Sequence, residues 1–96
     1  MIKTEPWDRA AWLETEEDIA GHLSAAFETG ELEAVTRALA TIARARGMTQ
    51  MAKISGMARG SLYKAIGEGA NPTLATVLAL LSALNLRLSV KSEPVA

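Results

Sequence analysis

Eight residues between Thr49 and Lys64 have side chains suited to gripping a nucleic acid: Thr49, Gln50, Lys53, Arg59, Gly60, Ser61, Tyr63 and Lys64. Arg59 and Lys64 are the candidates for base or phosphate contact, because an Arg fork reads guanine bidentately and an ammonium binds phosphate as a point charge. The hydroxyls of Ser61 and Tyr63 can donate to phosphate oxygens, although the Tyr63 ring could equally pack at the core edge. Thr49, Gln50 and the start of their helix would sit at the sugar–phosphate backbone, and Lys53 would add charge. Gly60 withdraws a side chain from this surface and permits close backbone approach.

Catalytic chemistry finds no comparable set. His22 is the single histidine and there is no cysteine, so a nucleophile–base pair, a thiolate or a zinc–thiolate site has no residues to build it. Gly67 and Gly69 follow no strand and precede no Gly-Lys-Ser/Thr, so they do not form a phosphate loop. We expect no enzyme, no metal and no cofactor.

The stretch Thr49–Ile66 must position the eight residues, and it reads as two short helices joined by a tight turn. Thr49 is the expected N-cap. Ala52 supplies the small residue where the two helices cross, and Gly56, four residues on, tolerates the positive φ of the turn. Met57 follows as an apolar plug. Leu62, Ala65 and Ile66 fall on the inward face of the second helix, leaving Ala58, Arg59, Gly60, Ser61 and Lys64 outward. Such a helix can enter a DNA major groove. The alternative is a helical hairpin that only builds a core.

Net charge is −1, but the charges are segregated. Residues 1–33 carry Lys3 and Arg9 against nine acids, net −7. Residues 34–67 carry Arg37, Arg44, Arg46, Lys53, Arg59 and Lys64 with no acid, net +6. A local basic face attracts phosphates whatever the whole-chain total. Arg44 and Arg46 also complement the negative end of the helix that precedes the motif. Ninety-six residues make one domain, and with 49% hydrophobic but 4% aromatic residues its core must be aliphatic. We expect no signal peptide and no membrane span, because no basic-then-apolar leader and no run of ~20 apolar residues is present.

Taken in order, residues 1–14 form an N-terminal segment. Glu5-Pro6-Trp7-Asp8 reads as a turn, Asp8 as the cap of a short helical turn, and Trp7 and Trp12 as lids over the core or part of a partner surface. Residues 15–85 form the helical domain. Thr15, with Asp18 three residues on, opens the first helix, whose stripe is Ile19, His22, Leu23, Ala26 and Phe27. Gly30 ends it. The second helix spans about Glu31 to Arg46, with Leu32, Val35, Leu39 and Ile42 or Ala43 inward, Thr36 and Arg37 on other faces, and Gly47 as its stop. The third and fourth make up the motif 49–66. After a Gly/Asn/Pro loop, Thr73 caps the fifth, which runs to Leu84 or Asn85. Its Val77, Leu78, Leu80, Leu81 and Leu84 make it the expected central core helix. Leu86-Arg87-Leu88-Ser89-Val90 alternates like a strand. Such a strand needs a partner: the same strand of a second subunit, Ile2-Lys3-Thr4, or a partner protein's edge. Residues 86–96 are therefore read as strand and tail.

This order of pieces resembles the HigA-like antidote proteins (antitoxins) of bacterial addiction modules, in the lambda-repressor-like, XRE-type helix–turn–helix superfamily. The resemblance covers about residues 6–90. It rests on Leu13-Glu14-Thr15-Glu16-Glu17-Asp18-Ile19, Ala38-Leu39, Ile42-Ala43-Arg44-Ala45-Arg46-Gly47-Met48 and Gly56-Met57. It continues through Ser61-Leu62-Tyr63-Lys64-Ala65-Ile66, Asn71-Pro72-Thr73-Leu74-Ala75-Thr76-Val77 and Ala83-Leu84-Asn85-Leu86. It implies an all-α, five-helix domain, here with a short C-terminal strand. It also implies a cytoplasmic homodimer that binds a palindromic operator, represses its own operon and neutralises a RelE-like toxin that cleaves messenger RNA.

Two positions depart from the pattern. Ala58 stands where Ser or Thr usually caps the recognition helix, and Gly60 where a longer polar residue, often Glu, is common. Two other functions therefore stay open. One is a module that masks a basic toxin with its acidic N-terminal third, and the other is a helix–turn–helix domain that has lost DNA binding.

Overall fold

The computed structural model describes residues 15–94. The readings for Glu5–Asp8, Trp7, Trp12 and Ile2–Thr4 lie outside those residues. Five helices follow one another: α1 (Glu16–Glu28), α2 (Leu32–Arg46), α3 (Met48–Ser55), α4 (Arg59–Ile66) and α5 (Leu74–Ala83).

Each boundary has a local cause. At the start of α1, Thr15 Oγ1 accepts the Asp18 amide at 3.0 Å and Asp18 Oδ2 accepts the Thr15 amide at 3.2 Å, a capping box. Glu16, Glu17 and Asp18 place negative charge at the positive end of the helix. Gly47 (φ 96°) is shared: its amide donates to the Ala43 carbonyl closing α2, and its carbonyl accepts the Met51 amide opening α3. The expected cap at Thr49 is therefore displaced. Thr49 lies inside the first turn of α3, because Gly47 makes the bend between helices two residues earlier than a side-chain cap at Thr49 requires.

Gly56 (φ 77°) ends α3. Its amide donates to Lys53 O at 3.3 Å and the Met57 amide to Ala52 O at 3.0 Å, the paired bonds of a Schellman motif. Met57 packs on the core as the accompanying apolar contact. Asn85 (φ 62°) repeats the device after α5, with its amide on Ser82 O and the Leu86 amide on Leu81 O. Thr73 caps α5 by accepting the Thr76 amide at 3.1 Å.

Among the described residues, sixteen buried hydrophobics form one core drawn from all five helices, with Ile19, Ile42, Met51, Leu62, Leu80 and Leu84 the largest that are fully enclosed. Phe27 packs at its edge. The central element is α2, which packs against α1, α3 and α4, whereas α5 docks chiefly on α3. The expectation that α5 lies at the centre is corrected: Leu74 is 65% and Leu78 45% exposed. An apolar helix of ten residues that docks chiefly on one short neighbour buries the stripe Val77, Leu80 and Leu81, with Leu84 at its C-terminal end. Two readings on α2 also change. Leu32 is exposed at the first turn, and Thr36 is buried, its hydroxyl satisfied by the Glu33 carbonyl at 3.2 Å.

No strand occurs among the described residues. The alternation over 86–90 builds no ladder among the described residues, where Leu86 is spent on closing α5 and the chain beyond it meets no described neighbour with which to pair.

Two stability effects follow. Ile42→Ala, which opens a cavity where α2 meets its neighbours, should cost about 2–5 kcal/mol in urea unfolding. Ala58 holds the extended geometry of an N-cap (φ −67°, ψ 149°) without a side-chain bond, so Ala58→Ser should raise the midpoint, stabilising by about 1 kcal/mol at unchanged slope.

Candidate nucleic-acid interface

The turn Gly56–Ala58 separates α3 from α4 and fixes how the two present their outer faces. Leu62 and Ile66 anchor α4 in the core, with Ala65 half-buried beside them. Met51 and Ala52 anchor α3 in the same way. With those positions turned inward, the 3.6-residue period turns the others outward.

All eight residues singled out from the sequence are exposed: Thr49, Gln50 and Lys53 on α3, and Arg59, Gly60, Ser61, Tyr63 and Lys64 on α4. The structure thus places them on two adjacent helices joined by a three-residue turn. The Tyr63 ring is 51% exposed, which decides between the two placements open for it.

One contact went unread in the sequence. Arg59 Nη2 donates to the Tyr63 hydroxyl at 3.2 Å, and its Cζ lies 5.6 Å from the centre of the Tyr63 ring. The pair sits at i and i+4, the spacing at which helical side chains meet, so the signal was present. It holds the guanidinium on the outer face of α4 and leaves most of its fork of donors open.

The electrostatics follow from what is absent nearby. Arg37 is paired with Glu33 at 3.8 Å, and both side chains are exposed. Among the described residues, Arg44, Arg46, Lys53, Arg59 and Lys64 are all exposed and none forms an ion pair. Ala58 has no side-chain oxygen, so the first amides of α4 carry no side-chain cap. These free N–H groups, at the positive end of the helix dipole, share the surface with Arg59.

No group of three or more His, Asp or Glu residues among those described is placed to hold a metal ion. No described helix is long and apolar enough to cross a membrane. His22 lines a shallow groove between α1 and α2 with Arg37 and Thr41, away from the α3–α4 surface.

Because Arg59 and Tyr63 support one another only at the surface, their replacement should leave the fold intact. Arg59→Ala and Tyr63→Ala should each change unfolding free energy by less than about 1 kcal/mol. Thermal melts of the two variants alongside wild type check this. A larger loss would give the pair a structural role.

The comparisons with known proteins come to rest on the same chain. The family model described as "Probable addiction module antidote protein" matches residues 3–92. A protein from Haemophilus influenzae, described as uncharacterized, is 40% identical over 87 residues, spanning 91% of this chain and 90% of its own. No solved structure matches. A match over nearly the whole length, through α1 to α5 and the chain beyond, places this protein in the family of probable addiction module antidote proteins.

Proposed function

We propose that this chain is a DNA-binding antitoxin of the HigA-like kind, whose α3–turn–α4 unit is a lambda-repressor-like helix–turn–helix with α4 as recognition helix. An addiction-module antidote has a cognate toxin as its partner. The finer reading adds a cytoplasmic homodimer that occupies a palindromic operator, represses its own operon and neutralises a RelE-like toxin.

The observation that carries the DNA reading is the coincidence of exposure and charge. Arg59 and Lys64 are exposed on α4, Lys53 on α3, and no acid lies anywhere from residue 34 to 67. Arg59, held by Tyr63, is assigned to a base edge. Lys64, Ser61 and the open amides at the start of α4 are assigned to phosphates, with Thr49, Gln50 and Lys53 flanking them. In a two-fold dimer the two α4 helices would enter successive major grooves about 34 Å apart.

A second reading is favoured by a specific feature. Glu16, Glu17, Asp18, Glu28, Glu31 and Glu33 are all exposed on α1 and the start of α2, and they suit a basic toxin. With the uncapped start of α4 and Gly60, toxin masking with little DNA binding is the alternative.

The deciding experiment titrates the full chain against a fluorescent duplex from upstream of its own gene, across a range of salt and with a scrambled duplex as control. The native duplex should win, and log K should fall against log salt with a slope of about −0.9 per phosphate neutralised. Arg59→Ala should weaken specific binding by about 1–3 kcal/mol and narrow the preference for the native duplex. Equal binding to both duplexes would hand the function to toxin masking. Neutralising Glu14, Glu16, Glu17 and Asp18 should then abolish toxin binding while leaving any DNA binding in place.

A further inference from the structure

Two exposed arginines have partners among the described residues, and the partners differ in kind. Arg37 meets the carboxylate of Glu33 at 3.8 Å, an ion pair that offsets its charge. Arg59 meets a neutral phenol: its Nη2 donates to the Tyr63 hydroxyl at 3.2 Å, and its Cζ lies 5.6 Å from the ring centre. A phenol holds the cation without neutralising it, so the whole charge stays open to an anion or a base edge.

The direction of this hydrogen bond is fixed by chemistry. A guanidinium has no acceptor, so the Tyr63 oxygen must accept. Of the five N–H donors that a guanidinium carries, one is spent here, and a bidentate grip on guanine needs only two of the rest. The contact therefore restrains the fork without consuming it.

No other described group bonds this guanidinium. Ala58 and Gly60 flank Arg59 and bring no polar side-chain atom, and even a Cβ added at Gly60 would meet nothing within 4 Å. Without its anchor, Arg59 would sample many rotamers and would lose that freedom on docking to a base. Tyr63 is a stiffer side chain, with two rotatable angles, and it is carried between the buried anchors Leu62 and Ile66. Set one helical turn from Arg59, it imposes the ordering in the free protein.

On the DNA reading given above, we propose that Tyr63 is a positioning residue. It touches no base and acts through Arg59, fixing where the fork lies when α4 meets DNA and so how sharply one base pair is distinguished.

The test uses the full chain and the fluorescent duplex from upstream of its own gene, with each base pair substituted in turn. Arg59→Ala in this scan marks the base pair that the fork reads. At that pair Tyr63→Leu should lose roughly two- to tenfold in discrimination, the effect of ordering one long side chain on binding. The slope of log K against log salt should stay as in wild type, because no phosphate contact is removed. Tyr63→Phe keeps the ring beneath the guanidinium and should fall between wild type and Tyr63→Leu. In an Arg59→Ala background Tyr63→Leu should cost nothing further. The free protein gives a reading that needs no DNA: the δ-methylene protons of Arg59 should carry a ring-current shift in wild type and in Tyr63→Phe, and lose it in Tyr63→Leu. A cost of Tyr63→Leu that persists in the Arg59→Ala background would give Tyr63 a DNA contact of its own, overturning the proposal while the DNA reading stands. Full wild-type discrimination in Tyr63→Leu would overturn it as well, and so would an unshifted Arg59 in wild type. A wild type that binds native and scrambled duplexes alike would remove the DNA reading, and the proposal with it.

Discussion

The structure depends on α2 being buried along a face broad enough to serve three neighbours. Val35, Ala38, Leu39, Ile42 and Ala43 form that face, and α1, α3 and α4 all close on it. The alanines matter as much as the large residues, because small side chains let backbones approach while Leu39 and Ile42 fill the space between. With only one phenylalanine and one tyrosine, the chain builds its core from short branched side chains and many close contacts. The surface that presents Arg59 and Lys64 is held in register by the same packing, since Leu62 and Ile66 are the inward positions of the helix whose outward positions those residues are.

Much of this was legible in the sequence wherever one residue decides one local event. Thr15, Gly30, Gly47, Gly56, Thr73 and Asn85 each mark the end of a helix through a cap or a positive φ, and these are properties of single residues and their near neighbours. Misreadings arose where a decision belongs to the assembled fold. Thr49 is a competent cap, but Gly47 already bends the chain. Leu78 is as apolar as Leu80, yet only Leu80 is buried, and composition does not say which neighbours a helix will have. Residues 86–90 alternate as a strand does, but a strand exists only with a partner.

The candidate site was legible for a related reason. Exposure of Lys53, Arg59, Ser61 and Lys64 follows from knowing which residues of α3 and α4 face inward, and periodicity supplies that. The Arg59–Tyr63 contact did not emerge, although its spacing was visible, because a charge–ring contact competes with other rotamers of two long side chains. Segregation of charge was visible without any structure. The packed structure adds that the acids of α1 have a structural task at its N-terminus, whereas the cations of α3 and α4 are exposed and form no ion pair among the described residues.

The start of α4 brings stability and proposed function into opposition. A Ser or Thr at position 58 would cap the helix and stabilise it, and the backbone there already has the geometry to accept one. Ala58 forgoes this, and Gly60 weakens the first turn further. What remains at that end is a set of amides that no side chain of the turn satisfies, next to a guanidinium with most of its donors open. Water satisfies such amides in the free protein. A phosphate would satisfy them better, because it adds charge complementarity to the same hydrogen bonds. On the proposed reading, part of the stability missing from α4 is recovered only when an anion is bound. An unfavourable local choice at Ala58 thus becomes a preference for the ligand-bound state.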